Sequence, residues 1–222
     1  MIVQRHLDKL KNEIEAYYQL LSFLVSVDSH KQLPLQSPTN SEKIYVTQEV
    51  QCCVKAQLIV MLYNLVESTV CLCLNTIYDE IHDFDLTYSD LSDKMRVIWN
   101  DSCRRANMPE KDLDEASKMS IKVRFKELST NTSGNIDIRK IYKIFDSYGC
   151  MIDKSIRDNY ADSFLTVKNK RNLLAHGNIS FCQCGANFVL KDLEGIKNDV
   201  LKFMEIVVGQ TILFIERKEY KR

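Results

Sequence analysis

This sequence predicts an all-α fold, on three observations. Apolar residues recur three and four apart over long stretches, the spacing of one face of a helix. Only three prolines and six glycines interrupt 222 residues, few for a chain built of strands and tight turns. No internal repeat or low-complexity tract breaks the pattern. The expected architecture is an up-and-down helical bundle, a single domain over residues 1–222, with 83–136 as a helical insertion.

Residues 2–28 place Val3, Leu7, Leu10, Ile14, Tyr17, Leu21 and Leu24 on one stripe, with Lys9, Lys11, Glu13 and Glu15 on the other faces. That pattern predicts a bundle helix. Pro34, Pro38 and their Ser and Asn neighbours predict a loop over 29–43. The longest core helix is expected from about Thr47 to Asp83, apolar on nearly every face between Leu58 and Leu74. Such a helix is either buried or spans a membrane. Glu67 in its middle, with no cationic asymmetry at the flanks, argues for burial, because a carboxylate is costly in lipid. Asn64 and Glu67 then need partners, since a buried unpaired polar group costs roughly 1–3 kcal/mol. Two accounts are open: structural hydrogen bonds to a neighbouring helix, or a place for Glu67 beside the Arg171/His176 motif described below, tuning the histidine.

Leu91, Met95, Ile98 and Trp99 predict a helix to about Ala106, stopped before Pro109, and a second is expected over 112–128. Residues 129–135 read as a loop. Arg104, Arg105, Lys118, Lys122, Arg124 and Lys126 make this block basic, either as a solvated face or as a nucleic-acid contact. Asp137 is expected to cap a short helix over 138–147 that ends at Gly149. Another helix, from Asp158 or Asp162, leads to position 176. Residues 181–189, with Gly185, suggest a short hairpin-like loop. From Asp192 a last helix carries Leu193, Ile196, Val200, Phe203, Val207 and Phe214 on one stripe, before a charged end over 216–222.

The formal net charge is zero, so the surface as a whole is no electrostatic trap for nucleic acid, and RNA binding requires a local patch. Lys168, Lys170 and Arg171 form one. Eight scattered cysteines, and an N-terminus that leads into a charged helix rather than an apolar signal core, point to reduced thiols and a cytoplasmic protein. Cys182-Gln183-Cys184 resembles half a metal site. No second pair has zinc-type spacing and the four histidines are dispersed, so no metal is expected. Phosphate-loop, dinucleotide, zinc-protease and nucleophile-elbow motifs are all missing, and no cofactor is expected.

The remaining candidate chemistry lies in Lys168-Asn169-Lys170-Arg171-Asn172-Leu173-Leu174-Ala175-His176-Gly177. Gly177 is a natural residue just past a helix end. His176 would stand at the negative end of the helix dipole, which favours a cation. Arginine is always charged and forks onto phosphate oxygens. Arginine with a titratable histidine is a minimal kit for phosphoryl chemistry on RNA without a metal. Five residues apart on an ideal helix, however, Arg171 and His176 point about 140° from each other. Arg171 shares a stripe with Phe164, Val167, Leu174 and Ala175, whereas Asn172 and His176 share another. Closing a cleft needs a distorted last turn, another element or a second copy of the chain. The spacing alone favours the plainer reading, a histidine at a helix C-terminus beside a solvated arginine.

Arg171-Asn172, Leu173-Leu174-Ala175 and His176-Gly177 resemble the R-x4-H motif of the HEPN superfamily (higher eukaryotes and prokaryotes nucleotide-binding), in which Arg, usually followed by Asn, Asp or His, precedes His by four to six residues. Tyr63-Asn64-Leu65-Val66-Glu67-Ser68 resembles the polar-marked core helix of the longer stand-alone prokaryotic members. The resemblance implies a HEPN-like bundle and a metal-independent endoribonuclease, the toxin or effector of a toxin–antitoxin or antiviral system. His176 would move a proton and Arg171 would hold the phosphate. Asn172, Glu67 and Asn64 would support them, with Lys168 and Lys170 on RNA. Implied partners are an RNA substrate, a second copy in a homodimer and a cognate antitoxin or regulatory protein; no membrane is implied. A non-catalytic module that dimerises, binds a nucleotide or binds a partner is the rival. Members silenced by nucleotidylation carry a tyrosine two residues after the histidine; Asn178 stands there, so that mode is not supported.

Overall fold

The computed structural model describes residues 1–26, 34–36, 43–126, 128 and 135–222. Its framework is helical: α1 (Ile2–Ser26), α2 (Gln48–Asp83), α3 (Asp93–Arg105), α4 (Glu115–Lys118), α5 (Ile138–Tyr148), α6 (Arg157–Ala175), α7 (Phe181–Gly185) and α8 (Leu190–Glu216). The fold class is all-α, as the periodicity predicts.

α2 is the axis of the bundle, packed against α1, α6, α7 and α8. Thr47 caps it, accepting a hydrogen bond from the Val50 N–H at 3.3 Å. Leu58, Ile59, Leu62, Tyr63, Leu65 and Val66 are almost wholly buried, each apolar side chain contributing about 1.5–3 kcal/mol relative to exposure. By length and composition α2 could also cross a bilayer, but 61% of its most apolar window is covered by other parts of the chain. The α1 stripe buries Val3, Leu7, Ile14, Leu21 and Leu24. Lys11–Glu205 and Lys197–Glu15 ion pairs, both at 2.5 Å, tie α1 to α8.

Three expectations need correction, and the charged end shows a contact that its composition does not reveal. Within 29–43 the backbone is not all loop: Pro34–Gln36 (β1) pairs antiparallel with Lys43–Tyr45 (β2). The helix expected over 112–128 shrinks to the single turn of α4. Beyond it Ile121, Val123 and Phe125 alternate with Lys122, Arg124 and Lys126, a period of two that suits extended backbone. Val123 N–H bonds to Leu86 O at 2.8 Å, and Val123 and Phe125 are buried. Residues 181–189 open with helix α7, because Ser180 and Gln183 form a reciprocal capping box. The charged end docks: Tyr220 is fully buried, and its carbonyl accepts from the Ser92 N–H at 3.0 Å. The loop read over 129–135 lies, except for Asn135, outside the described residues.

The other boundaries follow their signals. Asp137 caps α5 through the Lys140 N–H at 3.0 Å, and Gly149, at φ +90°, ends it. Buried residues from 83–136, among them Tyr88, Trp99 and Val123, join the same core cluster as α2 and α8. At Gly185 a methyl group would overlap the Cys52 carbonyl, so only glycine lets α7 approach α2 this closely. Six of the eight cysteines are buried, and burial pushes the Cys73 and Cys150 thiols up to about 12.

Candidate functional site

α6 ends through a double reverse bond. Asn178 N–H reaches Leu173 O at 2.9 Å and Gly177 N–H reaches Leu174 O at 3.1 Å, with Gly177 at φ +67°. His176 is the residue at the turn, its N–H still bonded to Asn172 O at 3.0 Å. Its imidazole is exposed and has no side-chain partner among the described residues.

Arg171 leaves the same helix inward, toward α2. Its guanidinium carbon lies 4.4 Å from the centre of the Tyr63 ring, a cation–π contact worth about 0.5–2 kcal/mol. Tyr63 is 1% exposed, and its hydroxyl accepts from the Ile136 N–H at 3.2 Å, so the platform is fixed. Arg171 Nη2 stands 3.9 Å from Glu67 Oε2, an ion pair beyond hydrogen-bond reach. Arg171 Nη1 donates to Asn172 Oδ1 at 3.2 Å, and Asn172 Nδ2 donates to Asn135 Oδ1 at 3.0 Å. Asn172 thus steadies the arginine rather than the histidine ring.

The basic cluster disperses around α6. Lys168 pairs with Asp137 Oδ2 at 2.8 Å, and its side chain is only 19% exposed. Burial disfavours the Asp137 carboxylate, but the Lys168 ammonium and the Lys140 N–H outweigh that and hold its carboxyl below the usual range. Lys168, expected on RNA, is thus paired with a carboxylate within the chain. Lys170 lies over the Phe188 ring at 6.0 Å.

Of the two polar residues singled out on α2, Glu67 faces the arginine and Asn64 does not. Asn64 is exposed and lines a groove with His6, Leu10, Glu13 and Ser68, between α1 and α2. One residue is 100° of helix rotation, enough to send Tyr63 to α6 and Asn64 to α1. As an exposed amide Asn64 needs no protein partner, and its expected place beside the motif is corrected. Three contributors escaped the sequence reading: Tyr63, Asn135 and Asp137. Tyr63 had a signal, since it precedes Glu67 by four and shares its face. Asn135 and Asp137 come from a segment distant in sequence that only the packing of α5 brings beside α6.

The Arg171 stripe is covered within the chain rather than left for a second copy: Phe164 and Val167 are buried, Phe164 against Phe203 of α8. The face left open carries Leu165, Asn172 and His176; at seven and eleven residues along α6, Asn172 and His176 each fall about 20° from Leu165, on opposite sides of it. Leu165 is 46% exposed.

No curated protein and no solved structure matches the chain. The family model HEPN_MAE_28990-like HEPN matches residues 3–220, nearly the whole length and both helices that build the arginine clamp. The chain belongs to the HEPN family.

Proposed function

We propose that this protein is a metal-independent endoribonuclease acting through Arg171 and His176, as the toxin or effector of a toxin–antitoxin or antiviral defence system. The observation that carries the reading is the mounting of Arg171. Its plane is held on Tyr63, Asn172 takes one N–H, and Glu67 stands beside it without a hydrogen bond to it. A guanidinium has five N–H donors, so most of the fork is available to phosphate oxygens.

RNA supplies its own nucleophile, the 2′-hydroxyl. His176 takes the 2′ proton or delivers one to the departing 5′-oxygen, and Arg171 stabilises the charge that builds on the phosphate. The products are a 2′,3′-cyclic phosphate and a 5′-hydroxyl. Because the two residues diverge around α6, the composite site takes Arg171 from one copy and His176 from the other. The open face with Leu165, Asn172 and His176 supports such a homodimer. Lys170 is the remaining candidate for RNA contact, and a cognate antitoxin would cover the same face.

One observation favours the rival reading, a non-catalytic interaction module: Tyr63, Glu67, Asn172 and Arg171 also make a self-contained structural clamp between α2 and α6. Incubating purified protein with labelled RNA, beside His176→Ala, separates the two. A nuclease loses cleavage in the variant while keeping its fold; an interaction module cleaves nothing in either form.

A further inference from the structure

The basic block between residues 104 and 126 resolves into paired and unpaired cations. Arg104 pairs with Asp101 at 3.2 Å. Lys122 and Arg124 both converge on Asp85. Lys118 is buried and donates to Asn100 Oδ1 at 3.0 Å. Arg105 and Lys126 have no carboxylate partner among the described residues, and both line one pocket of about 350 Å³ with Ser102, Ala106, Tyr78 and Leu128. Arg105 commits only Nε, to Asp101 O at 3.3 Å, which leaves its terminal N–H groups available. No carboxylate lines this pocket among the described residues.

An independent observation comes from the pocket wall. Tyr78 is 3% exposed and its hydroxyl is bonded to that of Tyr148, which is 6% exposed. Two hydroxyls carry two protons, and one bond between them uses one. With Tyr148 as the donor of that bond, the Tyr78 proton is the one left over, and it has no acceptor among the described residues. Burial pushes both phenols up, and the charge of Arg105, which lines the same pocket as Tyr78, acts on each in the opposite sense. Two uncommitted cations, a Ser102 side chain and a buried surplus donor all seek an acceptor with several oxygens and negative charge.

We infer that Arg105, Lys126, Ser102 and Tyr78 form a binding site for a small phosphate-bearing anion. The site lies at the end of α3, built from elements other than the α6 motif, and does not depend on RNA cleavage. Arg105 forks onto two phosphate oxygens, Lys126 supplies a second charge, and the surplus phenol proton finds its acceptor. Leu128, Ala106 and the Tyr78 ring give the pocket an apolar side, which fits a phosphate monoester with an organic group better than bare phosphate.

Calorimetric titration of the full chain with inorganic phosphate and with phenyl phosphate at low salt tests the site. Saturable one-to-one binding is expected, tighter for phenyl phosphate. Arg105→Ala and Lys126→Ala should each weaken it about tenfold or more, as loss of a charge-assisted hydrogen bond does. Arg104→Ala, an equal change of charge at the position next to Arg105 but outside the pocket lining and already paired with Asp101, should leave affinity unchanged. Tyr78→Phe keeps the ring stacked on Phe125 and should weaken binding while preserving the fold. Equal losses in Arg104→Ala, or no saturable binding by the wild-type protein, would overturn the proposal. So would binding of a short single-stranded RNA through Arg105 and Lys126 with no binding of either small anion, which would make the pocket a backbone contact instead.

Discussion

The Arg171 guanidinium carbon lies 4.4 Å above the Tyr63 ring, so the charge of the α6 motif is mounted on the central helix α2. Glu67, one turn further along α2, completes the mount at 3.9 Å. A flexible arginine is thereby held in one orientation before any substrate arrives, and the entropy of ordering it is met in folding rather than in binding.

Tyr63 is therefore predicted to set the activity without touching substrate. Tyr63→Leu removes the platform and should slow RNA cleavage about 2- to 30-fold, the kinetic equivalent of a cation–π contact of about 0.5–2 kcal/mol. Tyr63→Phe keeps the ring and should retain most activity, but it leaves the Ile136 N–H without its acceptor and costs roughly 1–3 kcal/mol of stability. Cleavage rates and urea melts on both variants check the split.

Two glycines should respond differently. Gly185→Ala drives a methyl group into the Cys52 carbonyl and should destabilise by about 1–3 kcal/mol, as overpacking does. Gly177→Ala meets open space, so only its positive φ is penalised, by about 1–2 kcal/mol, and α6 should fray at His176. Thermal melts measure the first effect. Amide exchange at Gly177 and Asn178 measures the second.

Acid should weaken the fold through His82. Its Nε2 accepts from the Phe125 N–H at 2.8 Å, which requires the neutral ring. Burial, reinforced by Arg124, holds the His82 pKa below 6.5 in the folded chain. The unfolded chain thus takes up the proton first. The stability this group contributes is fully present above about pH 6.5 and is lost as pH falls through the lower folded value. His6, likewise lowered mainly by burial, adds to the same limb. Urea unfolding at pH 7.5, 6 and 5 should show declining stability, and His82→Gln should flatten the decline.

The open face of α6 predicts a homodimer. Sedimentation at micromolar concentration should give a species near twice 25.8 kDa. Leu165→Glu, on the exposed face, should give monomers with an unchanged melt and no cleavage. A Leu165→Glu monomer that cleaves RNA at the wild-type rate would remove the composite site.

Caps made some helix boundaries legible, Thr47 before α2 and Asp137 and Gly149 around α5, whereas the capping box of Ser180 and Gln183 that starts the short α7 was obscured by Gly185 and poor alternation. The extended run Ile121–Lys126 was equally legible by its period of two, yet it was concealed by residues that also suit a helix surface. In the site, Arg171 and His176 were visible as a motif, but their surroundings were not. Whether Tyr63 or Asn64 faces α6 depends on the rotation of α2 about its axis. That rotation is fixed by packing on α1, α7 and α8 together, and a helix apolar on nearly every face carries little periodic signal to reveal it. Lys168 looked free because its partner, Asp137, is 31 residues away and is itself a helix cap.

Cleavage of labelled single-stranded RNA in excess EDTA, with analysis of the product ends, tests the central claim most directly. Wild-type protein should cut at an undiminished rate and leave 2′,3′-cyclic phosphate and 5′-hydroxyl ends. His176→Ala should lose about 10²–10⁴-fold by removing proton transfer, and Arg171→Lys should be severely impaired because it keeps the charge without the planar fork. Both variants should melt within a few degrees of wild type. Cleavage that disappears with EDTA, leaves 3′-hydroxyl ends or survives both substitutions would contradict the assignment.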